Sequence, residues 1–183
     1  KETADTMIRE LGIKCEGDSQ HPSALSGGNQ QKVCIARAVV FDPDVLFVSE
    51  ETSRRMMQRS GTMEEIMRGY CSEFGCKVVA CTQRKVKSPR CHSFNSTIYL
   101  HEEDRLYTGV PFEDIDVIDR IGSGDAYVAG ALFGMLKYGD IQQAVDFGNA
   151  MSAVKNTIVG DMPASDFEEI QRVITINNSG KSG

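Results

Sequence analysis

Two short apolar runs do most to limit what this chain can fold into. VLFVS at 45–49 and KVVACT at 77–82 have strand length and are rich in β-branched residues. Between them, residues 62–74 place Met63, Ile66, Met67 and Tyr70 on one helical face. Thr62 is suited to open that helix and Gly75 to close it. Strand, helix and second buried strand predict a parallel pair joined by a right-handed crossover.

The flanks read more locally. Residues 2–11 predict a short amphipathic helix with Met7, Ile8 and Leu11 inward, ended by Gly12. A polar loop at 15–25 follows. Ser26 is placed as an N-cap for a helix over 27–41, which Asp42-Pro43 stops. FNSTIY (94–99) and RLYTGV (105–110) alternate as strands, with HEED as their turn. IDVID (115–119) leads into a glycine turn. Helices are expected over 124–137, 141–155 and 165–174, with Asp140 and Ser165 as caps. The polar tail 177–183 is expected to be disordered.

Composition narrows the class. Of 183 residues, 40% are hydrophobic and 25% charged, which are globular values. The formal net charge of −6 argues against a nucleic-acid or membrane-surface partner. No apolar run reaches the length of a membrane span, so no direct membrane insertion is expected and a cytoplasmic location is. Six cysteines occur without a CxxC, which fits scattered reduced thiols; no metal ligands are assigned.

SALSGGNQQKVCIARAVV (23–40) is the first motif with chemistry in it. Ser26, Gly27 and Gly28 open a helix whose free N–H groups and positive end favour a phosphate. A Ser-capped helix after a glycine turn would explain the same residues without binding. The stretch resembles the signature region of ABC-transporter ATPases over about 1–52, in the NQQKV form of sugar importers. The resemblance implies closure over an ATP phosphate held by a second ATPase domain. It also aligns Glu50 with the catalytic carboxylate, while Ser49 and Glu51 replace the usual Asp and Pro. A GxxxxGK[ST] phosphate loop is missing: Gly180-Lys181-Ser182 has Thr175 where the first Gly belongs. Little independent function is expected of this segment.

DRIGSGDAYVAGALFG (119–134) is the second motif. Its glycines permit unusual φ and close approach, and a helix opens directly after them. An Asp that merely complements the helix dipole is the plain alternative for Asp125. The motif resembles the signature of ribokinase-like (PfkB-type) sugar kinases, matching at Asp119, Gly122, Gly124, Asp125, Ala129 and Gly130. The Asp119-Arg120 variant, with FGNAMSAVKNTIVGDM following, is most similar to 2-keto-3-deoxygluconate kinases, over about 44–174. The resemblance implies the C-terminal part of a three-layer α/β/α fold with parallel strands, and use of ATP and Mg2+ on a sugar acid. It assigns Asp125 as the base. The backbone of Gly122, Ser123 and Gly124 becomes the phosphate cradle. Asn149, Thr82, Arg84 and Asp119 become nucleotide-side residues. Glu50-Glu51 falls where these kinases carry an acidic motif that supports magnesium.

The two resemblances meet at DVLFVSEET, 44–52. The expected organisation is an ABC-like, mostly helical segment at 1–43, a partial kinase domain at 44–176, and a tail at 177–183. Lys1 in place of Met fits a chain that begins inside a larger reading frame. The kinase half that would supply the sugar pocket and lid has no counterpart upstream. Three readings stand: an incomplete sugar kinase, a sugar-import ATPase fragment, or an inactive nucleotide-binding hybrid. Exposed apolar surface on 27–41 and 45–49, and self-association through it, are expected.

Overall fold

The computed structural model describes residues 2–50 and 61–180. It contains α1 (Glu2–Glu10), a 3-10 turn (Pro22–Ala24), α2 (Gly27–Val39) and β1 (Val45–Ser49). Then come α3 (Met63–Phe74), β2 (Val78–Ser88), β3 (Cys91–Leu100), β4 (Arg105–Thr108) and β5 (Phe112–Asp116). Three helices finish the chain: α4 (Ser123–Tyr138), α5 (Ile141–Asn156) and α6 (Phe167–Ser179). Glu51 and Thr52 lie outside the described residues, as do Lys181 and Ser182.

The strands form one mixed sheet in the order β1-β2-β3-β4, with β5 also paired to β3. β1 and β2 run parallel, from Val45 opposite Val78 to Ser49 opposite Thr82, as the strand–helix–strand pattern predicts. The remaining pairs are antiparallel, so the sheet is mixed rather than parallel throughout. β3 is long enough to pair β4 along one half and β5 along the other.

Side-chain alternation sends β residues to two cores. On one face Leu46, Val48, Val79, Cys81 and Tyr99 meet Ile66, Met67 and Tyr70 of α3. Leu11, Leu25, Ile35, Ala36 and Val39 belong to that same core. The first segment thus packs continuously with the second across residue 43. On the other face Val78, Ala80, Phe94, Ile98 and Ile115 meet Tyr127 and Ala131 of α4, and Ala144 and Val145 of α5. α6 closes over α5 through Phe147, Ala150 and Ile170. The α4–α5 contact is close because α4 carries Gly134: a Cβ there would stand 2.6 Å from the Cα of Ala144.

Several boundaries differ from expectation. Of the large apolar side chains where exposure was predicted on β1 and α2, Val40 and Phe41 are the exposed ones among the described residues, at 44% and 84%. Leu46, Val48, Ile35 and Val39 are covered, because α1–α3 supply the layer that the strand needs. β2 continues to Ser88 because Gln83–Ser88 pair with β3, although their polar side chains show no buried period. β3 accordingly starts at Cys91, earlier than 94. α6 is capped by Asp166, whose side chain accepts the N–H of Glu169, and not by Ser165. It runs to Ser179, into the stretch expected to be disordered. Thr62 behaves as predicted and more: it and Glu65 form a reciprocal capping box.

Candidate functional site

β5 is parallel to β1 and β2, because each is antiparallel or linked through β3 in the same sense. The loop after β5 therefore leaves from the carboxyl ends of β1 and β2, where open α/β sheets hold ligands. This loop runs from Val117 to Gly122 and delivers the N-terminus of α4.

Its shape is built by two neighbours. The N–H groups of Ile118 and Asp119 donate to the carbonyl of Asn156, at 2.8 and 3.2 Å. The Asp119 carboxylate accepts the N–H of Ile121 and of Gly160, both at 3.0 Å. These backbone donors, and then the charge of Lys155, hold that carboxyl below the usual carboxylate range. Asp119, expected on the nucleotide side, thus organises the loop.

Gly122 caps α4 in the left-handed region, φ 76°. A Cβ there would overlap the carbonyl oxygen of Asp161 and stand 2.8 Å from its carbon. Both conformation and space therefore demand glycine. Ser123 turns its hydroxyl inward, 2.9 Å from Ser152 Oγ, and it accepts Asn156 Nδ2 at 2.9 Å. The Ser123 N–H donates to the carbonyl of Arg120 at 3.2 Å. The N–H groups of Gly124 and Asp125 have no acceptor among the described residues, and no side chain caps the helix. Over Gly124 nothing lies within 4 Å of where a Cβ would be. Asp125 is exposed in the same first turn. The Gly122 N–H likewise has no acceptor among the described residues, so of the expected Gly122–Gly124 cradle only the Ser123 N–H is engaged, and Asp125 adds a donor. Two N–H groups, a helix dipole and open space fit the terminal oxygens of a phosphate chain.

Thr82 and Arg84 project to the α4 side of the sheet. Ser49, Thr82 and Ser96 stand in register across three strands, on the face that also carries Ala80 and Phe94. Thr82 is half-buried and Arg84 exposed. His92, two pairs further along β3, is buried on this face with its Nδ1 unpartnered among the described residues. It is held below its ordinary range, first by burial and then by the charges of Arg84 and Arg120. Nothing in the spacing around Cys91-His92 suggests more than loop residues without function, whereas the structure places both in β3. Lys155 and Asn156 escaped the sequence reading; their position in the last turn of α5 was the available signal.

Asn149, expected on the nucleotide side, points into the packing between α5 and β3. It is buried, and its Nδ2 donates to Asn95 Oδ1 at 3.0 Å, which ties α5 to β3. Its Oδ1 is buried and has no partner among the described residues. The ABC-like residues sit elsewhere. Ser26 occupies the N-cap position, yet its hydroxyl accepts Asn29 Nδ2 at 3.1 Å and caps no backbone group. Gly27 and Gly28 border open space. A cavity of about 470 Å³ lies between Gly27, Gln31 and the Ser49 end of β1. Glu50 follows β1 and is half-buried. α2 packs in the α3 layer and α4 in the opposite one, so the two glycine motifs do not form one site. Among the described residues, no cluster of three His, Cys, Asp or Glu side chains could hold a metal. No described helix is long and apolar enough to cross a membrane.

Comparison with known proteins finds both families. The family model described as pfkB family carbohydrate kinase matches residues 29–166, and that described as ABC transporter matches residues 1–53. The fold is similar to 2-dehydro-3-deoxygluconokinase from Thermotoga maritima, with a TM-score of 0.73 and 22% identity. That match covers 95% of this chain and 54% of the Thermotoga chain. A 2-dehydro-3-deoxygalactonokinase of Haloferax volcanii is 25% identical over 137 residues, 75% of this chain and 40% of that protein. The methionine import ATP-binding protein of Wolinella succinogenes is 35% identical over 87 residues, 47% of this chain and 28% of that protein. The chain therefore spans about half the length, or less, of the proteins it matches.

Proposed function

Because the chain belongs to the pfkB family of carbohydrate kinases, we propose that its site serves ATP-dependent phosphoryl transfer to a hydroxyl of a keto-sugar acid, 2-keto-3-deoxygluconate being the model substrate. The observation that carries this reading is the pair of free N–H groups of Gly124 and Asp125 beside an exposed Asp125 carboxylate. ATP supplies the transferable phosphoryl group, and Mg2+ carried on its phosphates offsets their charge.

The residues then divide the work. The Gly124 and Asp125 N–H groups donate to phosphoryl oxygens, and the α4 dipole favours their negative charge. Asp125 takes the proton from the sugar hydroxyl as its oxygen attacks phosphorus. Gly122 and Asp119 keep the loop in the shape that leaves those two donors free. Arg84 and Arg120 supply positive charge suited to a carboxylate or a phosphate near the rim. The names of the Thermotoga and Haloferax relatives support a 2-dehydro-3-deoxy sugar acid as the acceptor. Thr82, half-buried beside Ser49, and Glu50 after β1 remain assigned to the nucleotide side.

The test is ADP release from MgATP with and without 2-keto-3-deoxygluconate, for the parent chain and for Asp125→Asn. Sugar-dependent release is expected, reduced by roughly 10²–10⁴-fold in the variant at unchanged melting temperature. Activity of Asp125→Asn near the parent level would remove Asp125 from the role. ATP binding without sugar-dependent ADP release would favour the second reading, an inactive nucleotide-binding fragment. The chain's coverage of only 54% of the Thermotoga enzyme is what keeps that reading in play.

A further inference from the structure

One buried cation of this fold is held by backbone carbonyls and not by an ion pair, although its charge reaches the Asp119 carboxylate. Lys155, in the last turn of α5, is completely buried. Its ammonium donates to the carbonyl of Ile158 at 2.9 Å and to that of Asp119 at 3.3 Å. Among the described residues it forms no ion pair. Desolvating an ammonium is costly, and neutral carbonyls recover only part of that cost. A simple tie between loops needs no full charge.

The placement says what the charge does. The loops 118–122 and 157–161 are cross-tied twice. The Asp119 carboxylate collects N–H groups from both, those of Ile121 and Gly160. The Lys155 ammonium collects carbonyls from both, those of Asp119 and Ile158. The next residue, Asn156, holds the Ser123 hydroxyl and accepts the Ile118 and Asp119 N–H groups. A charge buried here is weakly screened, so its field extends to the turn that opens α4.

We propose that Lys155 is the positioning residue of this turn. It is a resident cation that draws the two loop carbonyls inward and raises the anion affinity of the Gly124 and Asp125 N–H groups. The inference rests on reading that turn as the phosphate site. It assigns Lys155 no contact with substrate.

Inorganic tripolyphosphate titrated into the ¹⁵N-labelled chain tests it, with the Gly124 and Asp125 amide resonances as readout. The parent is expected to bind. Lys155→Met is expected to bind roughly tenfold more weakly while keeping its circular dichroism spectrum. Lys155→Ala is expected to regain affinity with n-propylammonium and not with n-propanol, which a purely space-filling role would not distinguish. A folded Lys155→Met with affinity within about twofold of the parent overturns the proposal. So does equal rescue by the alcohol. If both substituted chains unfold, the parent decides: the Lys155 ammonium ¹⁵N resonance must move when Gly124 moves, and an unmoved resonance refutes the coupling. A parent chain whose Gly124 and Asp125 amides ignore tripolyphosphate refutes the phosphate-site reading itself, and this inference with it.

Discussion

Gly122 and Gly124 stand two residues apart in one turn, and the structure separates their roles sharply. Replacing Gly122 by Ala places an L-residue at φ 76°, which costs about 1–2 kcal/mol. The new Cβ would also overlap the Asp161 carbonyl oxygen and stand 3.0 Å from the Asp161 Cα. That neighbour is backbone and cannot rotate away, so the loop 157–161 must shift, for about 1–3 kcal/mol more. The expected destabilisation is about 2–5 kcal/mol, a large part of a typical domain's stability. Gly124→Ala meets nothing within 4 Å, at a helical position with no positive φ. It is expected to be neutral or to stabilise by up to about 1 kcal/mol. Urea denaturation of the two variants, at equal m-value, measures the difference. If Gly122→Ala unfolds within about 0.5 kcal/mol of Gly124→Ala, the account of this turn fails. Tripolyphosphate adds a second arm, because the methyl of the stable Gly124→Ala variant occupies the open space assigned to phosphate and should weaken binding.

Thr62→Ala removes the capping box of α3 and is expected to cost about 1 kcal/mol in chemical denaturation, whereas Ser26→Ala, with no backbone capped, should cost less. His92 is held below its ordinary value of 6.5, so the unfolded chain binds the proton more readily. Stability should therefore fall as pH drops through 6.5, and His92→Gln should flatten that slope in urea titrations; an unchanged slope would refute the assignment. Burial pushes the Cys71 thiol up to about 11, while Cys34 is exposed, so maleimide should label Cys34 rapidly and Cys71 only on unfolding.

What could be read beforehand follows from the range of the forces involved. The parallel β1–β2 pair was legible because both strands are buried and their apolar residues run together. The Thr62 cap was legible because it depends on four consecutive residues. The outer half of β2 was not, because Gln83–Ser88 pair through backbone bonds while their side chains face solvent. In the site, Gly122 and Asp125 were marked by their motif. Which N–H groups remain free was not, since it turns on one bond from Ser123 to Arg120 and one hydroxyl held by Asn156. The burial of Asn149 was not legible either, because a buried amide and a ligand-facing amide look alike in sequence; its bond to Asn95 spans 54 positions.

The two family matches overlap over residues 29–53, which hold most of α2 and all of β1. Packing explains how one stretch can satisfy both. A helix laid on a sheet needs an apolar stripe, here Ile35, Ala36 and Val39, and the strand below needs a buried face, here Leu46 and Val48. Neither demand specifies a reaction. The Thermotoga kinase fold accordingly accommodates 95% of this chain, ABC-like segment included. The phosphate chemistry of that segment is a different matter, because it depends on what Gly27 and Gly28 face. Here Gly27 borders a cavity on the side of the sheet away from α4, so the pair shares no site with the α4 turn, and the Ser26 hydroxyl is engaged by Asn29. The segment supplies a packing surface, and the kinase chemistry proposed above belongs to the other glycine turn, where Asp119, Lys155 and Asn156 shape the loop from beneath.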